Sequence, residues 1–421
     1  VMTAIPDPSK QGFKLSQLLY DTRYRSMTIQ VVALIAILLF FGWLISNTAA
    51  NLATLGKPIQ FKFLGEPSNY DINQRLLDYT SRDTHLRAGL MGLINTLVLA
   101  FMGCVTATIL GVAIGVLRLS KNWLVARVMT LYIEMFRNIP VLLWIIIVFS
   151  IMIETMPRPN QFRSGEAAMK LFDSVAITNR GVYVPEPLFN GGLGDIFLLG
   201  ESSLRFGISL DLIAILIVLF TGLFISKKIK KNADLVQNET GIRPTTWWKR
   251  LSVVILPVLV ILWALGFHLG YPELKGFNFK GGIYMRNSLI ALWVALSLYT
   301  AAFIAENVRS GIQAVEKGQS EAAYALGITP GRTMSLIILP QALRIIIPPI
   351  ISQYLNLTKN SSLAIAVGYM DLTGTLMGIT LNQTGRELET VLMGMAIYLI
   401  ISLAISTVMN WYNNSVKLVE R

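Results

Sequence analysis

Long apolar runs separated by short polar segments set the plan of this chain. Ile29 to Ser46 carries Val, Leu, Ile and Phe without a charge, and it is the first of eight such runs. Gly89–Leu117, Val128–Ile153, Ile208–Ser226, Leu251–Gly270, Ser288–Ala305, Ala342–Val367 and Val391–Met409 follow it. Runs of about 18 apolar residues or more are long enough to cross the hydrocarbon core as helices. The pattern therefore predicts an all-α polytopic membrane protein of about eight transmembrane helices. Within it, polar residues from Glu134 to Pro140 interrupt the third run, and Pro257 predicts a kink in the fifth.

The runs are of two kinds. The second, third and sixth to eighth are Gly-rich or polar-interrupted, whereas the first, fourth and fifth read as plain apolar anchors. That contrast suggests a five-helix core with three helices added. The expected segments are 1–87 (N-terminus, first anchor and a polar loop), 88–155 (first part of the core), 156–284 (an insert with a long loop, two helices and a basic loop) and 285–421 (the rest of the core).

Eight crossings put both termini on one side, and positive charge chooses the side. The loop Lys227–Arg250, opening on KKIKK, is the most basic of the chain, and short basic loops stay in the cytoplasm. Both termini are thus expected to be cytoplasmic, together with the loop 318–340. The long loops Asn47–Arg87 and Glu154–Gly207 then face the opposite compartment. The N-terminal stretch VMTAIPDPSKQGFKLSQ, with Lys10 and Lys14, lacks the hydrophobic core and cleavage site of a removable signal peptide.

Composition agrees. AVILMFWYC make up 53% of the chain and charged residues only 14%, well below the roughly 25% of soluble domains. The net charge of +12 is accounted for by basic cytoplasmic loops, so no nucleic-acid partner is expected. A single Cys104 and two isolated histidines, His85 and His268, offer neither a disulfide framework nor a metal cluster. Enzyme signatures are missing as well. Gly327-Ile-Thr-Pro-Gly331-Arg332-Thr333 has the wrong glycine spacing for a phosphate loop and lacks its lysine. If the chain moves a solute uphill, another subunit or an ion gradient drives it.

One polar stretch stands out between the sixth and seventh runs, GQSEAAYALGITPGRTMSLIILP from Gly318 to Pro340. Ser320 reads as a helix cap with Glu321 in the first turn, where the helix dipole favours an acid. Ala322, Ala323, Ala325 and Leu326 form a short helix, and Gly327 suits a left-handed stop. Thr329-Pro330 restarts a helix with proline at its first position. Ile337, Leu339 and Pro340 lead back into the membrane. Physics alone leaves two readings open, a docking element or an ordinary interfacial loop.

Glu321-Ala322-Ala323, Gly327 and Ile337-x-Leu339-Pro340 resemble, at full spacing, the EAA motif of permease subunits of bacterial ABC importers. LSLYTAAFIAENVRSGIQAVEKGQ (Leu296–Gln319), MFRNIPVLL (Met135–Leu143), GLINTLVLA (Gly92–Ala100) and LTKNSSLAIAVG (Leu357–Gly368) are similar to the polar and general L-amino-acid permeases, the histidine, glutamine and glutamate group. The resemblance covers residues 88–155 and 285–410. The leading anchor and the insert depart from the compact five-helix form and look like the long permeases of general L-amino-acid transporters. The resemblance implies a type I ABC importer permease fold in the bacterial inner membrane. It implies an ATP-binding subunit dimer as partner, with ATP and Mg held there and no cofactor on this chain. It also implies a second related permease, either a different chain or a second copy, and a periplasmic amino-acid-binding protein. In that family the EAA segment is the coupling helix that docks on the ATPase.

Polar groups inside the runs are the candidate pathway, because they are costly in lipid and usually line a cavity. They are Asn95 and Thr96 in the second run, Arg137 and Asn138 in the third, and Asn360, Ser361 and Ser362 in the seventh. Arg137 could grip a substrate carboxylate or pair with Glu134 three residues before it. Glu306 and Arg309, also three apart, read as a structural pair. The alternative to an ATP-driven importer is an ion-coupled transporter or channel acting alone, which would need intramembrane carboxylates.

Overall fold

The computed structural model describes residues 22–198 and 206–416. Lys10, Lys14 and Arg421 lie outside them. The chain divides into two units, Val1–Phe61 and Lys62–Arg421. In the first, the helix α1 (Thr22–Thr54) contains the expected anchor, and none of its most apolar window is buried.

The second unit holds seven further helices long and apolar enough to cross a membrane, which with α1 makes eight among the described residues. The core is built on α2 (His85–Arg118) and α7 (Asn287–Gln313). Small residues let their backbones touch. A Cβ on Gly111 would stand 2.6 Å from Ile304 Cβ, and one on Gly115 would stand 2.7 Å from the Ala305 carbonyl oxygen. Across from them α7 presents Ala291, Ala295, Ala301, Ala302 and Ala305, all fully buried. Small-residue faces of this kind replace the hydrophobic drive that helices lose in lipid. Of the most apolar window of α7, 67% is buried, against 28% for α2, so α7 is the axis of the core.

The third run is two helices, α3 (Trp123–Asn138) and α4 (Val141–Thr155). Ile139 is extended (φ −106°, ψ 133°) because the proline after it disfavours the helical region, and Pro140 itself cannot donate to a continuing helix. Asn122 caps α3 by accepting from the backbone N–H of Leu124 and Val125. Ile145 and, farther round α7, Ile346 and Leu357 complete one continuous core with Leu99, Leu292 and Leu296.

The insert departs from the expected plain loops. Among the described residues, nine short antiparallel strands form in the insert and at its junction with α7: β1 (Ala176–Thr178), β2 (Gly181–Val184), β3 (Glu186–Phe189), β4 (Asp195–Leu198), β5 (Phe206–Ser209), β6 (Phe267–Gly270), β7 (Glu273–Lys275), β8 (Asn278–Lys280) and β9 (Ile283–Arg286). They pair as β1-β2-β9, β3-β6, β4-β5 and β7-β8. The β2–β9 pairing runs directly into α7 and ties the insert to the core. Phe267–Gly270 belongs to the fifth apolar run, yet the helix α6 (Trp247–Ala264) stops short of it. Gly266, at φ +65°, breaks the helix, and the run continues as a strand paired with β3.

The basic segment after Ser226 is likewise not the expected loop. Helix α5 (Leu210–Thr240) carries the KKIKK sequence and ends only at Gly241, φ +74°. Nothing between Lys227 and Thr240 breaks a helix, and Lys, Ala, Leu and Gln all favour one. Helices α5 and α6 pack closely on each other at Gly222, whose Cβ would lie 2.9 Å from the Val253 carbonyl oxygen.

The last part of the core follows α7. A short helix α8 (Lys317–Ala325) and a turn lead to α9 (Pro330–Thr333), a wide π-helical turn at Met334–Ile338, and α10 (Leu339–Asn360). A tight 3₁₀ turn, Ser361–Val367, then ends on left-handed Gly368. A second π-helical stretch, Thr373–Thr380, leads through Gly385 to α11 (Glu387–Val416).

Candidate functional site

At one end of the core, α2 and α7 meet through ions and α3 packs beside them. Glu306 of α7 accepts hydrogen bonds from Arg118, the last residue of α2, and from Arg309 one turn on. Arg309 also reaches Gln313. The three charged side chains are between 17% and 26% exposed, which makes the network more than a solvated surface pair. Helix α3 joins the same end: the Tyr132 hydroxyl donates to the Leu298 carbonyl at 2.6 Å. The Arg137 guanidinium lies 5.5 Å from the centre of the Phe303 ring. Arg137 is exposed and turned to that ring, while Glu134 accepts instead from Asn138 at 3.3 Å. Thus Glu306 and Arg309 do pair, with Arg118 as an added member, whereas Arg137 finds its neighbour on another helix.

The EAA segment hangs from this end. Its helix starts earlier than expected: Lys317–Ala325 is helical with Glu316 at the cap position, so Ser320 lies inside the helix and Glu321 lies past its first turn. Lys317 and Gln319 favour a helix, no proline intervenes, and Gly318, though a weak helix former, lies in the first turn. The stop is as the sequence suggests. Ile328 N–H donates to the Ala323 carbonyl at 3.0 Å and Gly327 N–H to Tyr324 at 2.9 Å, a Schellman pattern closed by Gly327 at φ +74°. Thr329 and Pro330 then open α9 at its cap and first position.

Only Ala323 of the short helix is buried. Glu321 and Ala322 face outward. At the turn, Tyr324 is 50% exposed and Leu326 80% exposed, and Leu336 and Leu339 are exposed beside the π-helical turn. Ile337 and Pro340 are half-buried. A polar helix thus ends in an uncovered apolar tip joining two core helices.

The opposite end of the core has a different chemistry. Gly92 of α2 lets the turn after Gly368 lie flat on the helix, for a Cβ there would meet Thr375 Oγ1 at 2.0 Å and the Asp371 carbonyl oxygen at 2.7 Å. The Asn95 side-chain amide donates to the carbonyls of Gln74 (2.7 Å) and Met370 (2.8 Å), and the Asn95 backbone carbonyl accepts from the Tyr369 hydroxyl. Thr96 Oγ1 accepts from the Leu372 N–H at 3.0 Å. Both side chains are therefore buried pins that hold the turn.

Asp371 sits at the centre of that turn, fully buried. One carboxylate oxygen accepts from the Gly374 N–H at 2.8 Å and the other from the Tyr398 hydroxyl at 3.1 Å. Burial pushes its carboxyl up to about 6, against the pull of those donors. Burial likewise raises the phenols of Tyr369 and Tyr70. Ser361 and Ser362 bond back to Thr358 and Lys359 carbonyls within their own turn, and Asn360 stands half-buried above them. Asn95, Thr96 and the Asp371 turn come together at this end, while Arg137 and Asn138 belong to α3 and its contact with Phe303 of α7.

Asp371, Tyr369, Tyr398, Gln74 and Arg118 escape a reading of the apolar runs, because four lie outside them or at their edge and the fifth is one tyrosine among many. Asp371 had a usable signal: it is the lone acid in the stretch VGYMDLTGTLMGI.

The model of the family described as binding-protein-dependent transport system inner membrane component matches residues 245–417. The glutamate/glutamine/aspartate/asparagine transport system permease protein BztB of Rhodobacter capsulatus is 55% identical over 100% of both chains. The putative amino-acid ABC transporter permease protein YhdX of Escherichia coli is 42% identical, covering 94% of this chain and 95% of its own. The general L-amino acid transport system permease protein AapQ of Rhizobium johnstonii is 40% identical, covering 97% and 96%. These relatives align over nearly the whole length of this chain. The chain belongs to their family, the permease subunits of amino-acid ABC transport systems.

Proposed function

We propose that this chain forms one half of the membrane pathway of an importer that carries L-amino acids, the acidic ones and their amides among them, from periplasm to cytoplasm. The names of the full-length relatives support that substrate class. Family membership favours this ATP-driven reading over an ion-coupled transporter acting alone. The site is the bacterial inner membrane, with the EAA segment and both termini on the cytoplasmic side. Its partners are an ATP-binding subunit dimer that holds ATP and Mg, a second related permease and a periplasmic binding protein. The expected division into 1–87, 88–155, 156–284 and 285–421 belongs to the same reading.

The observation that carries the proposal is the uncovered tip at Tyr324 and Leu326 on a helix fastened at both ends to the core. Glu321 and Ala322 present the docking face, Ala323 seats the helix from beneath, Gly327 turns the chain, and Ile337, Leu339 and Pro340 pass motion into α10. Closure of the ATPase dimer would push α8. The adjoining π-helical turn gives that push an element already wound more widely than its neighbours. At the far end, the Asn95, Thr96 and Asp371 turn and the Asn360–Ser362 turn would rearrange as the bundle rocks.

The test is substitution of Gly327 by Val. A β-branched side chain at φ +74° is strained, so the docking turn should distort while the spans stay intact. Uptake is expected to fall at least about tenfold with the chain still in the membrane. Normal uptake with normal retention of the ATPase subunit would sink the coupling reading.

A further inference from the structure

The hairpin of α5 and α6 carries a feature that coupling does not use. A cleft of about 470 Å³ lies between the two helices, lined by Thr221 and Ile225 of α5 and by Val253, Leu256 and Pro257 of α6. Contact at Gly222 closes its back. No described residue of α6 is buried, and no residue outside α5 and α6 lines the cleft.

Charge stands at one end of it. Along α5 the lining stripe Thr221, Ile225 runs on, at helical spacing, to Lys228. Along α6 the stripe Leu256, Val253, Ser252 runs back to Lys249. Because the helices are antiparallel neighbours, both exposed lysines stand at the same end of the cleft. Arg250 donates to Ser226 at 3.4 Å just behind them. Trp247 and Trp248, 69% and 51% exposed, mark this level as the membrane interface. Lys249 is held there, its ammonium 5.3 Å from the centre of the Trp248 ring.

We propose that this cleft binds an anionic phospholipid, with an acyl chain between α5 and α6 and its phosphate between Lys228 and Lys249. Charge complementarity selects this occupant. An apolar helix from a second chain would match the lining but leave the two ammonium groups without a counter-charge. From Lys227 to Arg250 the sequence has seven basic residues and only Asp234 and Glu239 as acids, and Asp234 is already taken by Arg243 at 2.7 Å.

The experiment is native mass spectrometry of the full chain, released from nanodiscs made of equal phosphatidylglycerol and phosphatidylcholine. Wild type should retain phosphatidylglycerol preferentially. Lys228→Gln with Lys249→Gln should weaken that retention about 25-fold, taking each lysine as about fivefold. Lys227→Gln with Lys230→Gln, whose positions lie off the cleft stripe, should leave it unchanged. Filling the cleft by Ile225→Trp should displace the lipid while both lysines remain. Equal losses in the two lysine pairs would overturn the proposal in favour of diffuse surface charge. Unchanged retention in the cleft-filled chain would also overturn it, as would full competition by inorganic phosphate or a protein chain retained in place of the lipid.

Discussion

At the residue scale, the two ends of the core depend on single atoms. Gly92 is the sharpest case, because any side chain there meets Thr375 Oγ1 and the Asp371 backbone. Gly92→Ala should lower stability by about 1–3 kcal/mol, read as a drop in the thermal midpoint of the purified chain. Asp371 gives a pH signature. Its carboxyl is raised from 3.8 to about 6, so the folded state holds the proton more tightly than the unfolded one. The sign follows: this group favours the fold at low pH, and the contribution falls as pH rises between about 4 and 6. Asp371→Asn should flatten that part of the stability profile while the rest keeps its shape. A wild-type profile level across the window would contradict the burial argument. Gly92 is inconspicuous in the sequence, and Asp371 is marked only as the lone acid of its stretch. A glycine in an apolar run looks like many others, and the acid lies between two runs, where loops usually hold acids in water.

At the element scale, the sequence is legible where one local rule decides. The break at Ile139–Pro140, the stop at Gly327 and the start at Thr329-Pro330 each rest on one or two residues, and each is where the sequence places it. It misleads where a segment has several acceptable states. Ser320 is a good cap, but Lys317 and Gln319 before it favour a helix enough to carry Gly318, so α8 begins at Lys317. The KKIKK segment is polar enough for a loop yet has no breaker, and it stays helical to Thr240. Two pairings of the insert, β2 with β9 and β3 with β6, join strands far apart in the chain, and no local pattern announces those. Glu306 is the element-scale joint, since it accepts from both α2 and its own helix. Glu306→Gln should cost about 1.5–3 kcal/mol, the range for hydrogen bonds to charged groups. In a double-mutant cycle with Arg118→Gln the losses should fall short of additive. Additive losses would mean that the two helices are not joined through this pair.

For the whole molecule, the apolar runs were enough to predict eight crossings, and the motif was enough to name a family that full-length relatives share. Polar residues inside the runs were a weaker guide. Asn95 and Thr96 sit where polar groups are expensive, and they spend that polarity on fixing a turn. What joins the two ends is α7 and its small-residue contact with α2, and on the proposed coupling reading a push at the EAA end would travel through them to the Asp371 end. The central claim is that the push enters through the tip at Leu326. The most direct measurement is ATP-driven amino-acid uptake by proteoliposomes holding the assembled transporter, with wild-type chain and with Leu326→Asp. A docked Leu side chain is worth about 1.5–3 kcal/mol, so uptake should fall at least about tenfold and the ATPase subunit should be lost on purification. Uptake at the wild-type rate with the ATPase subunit still bound would contradict it.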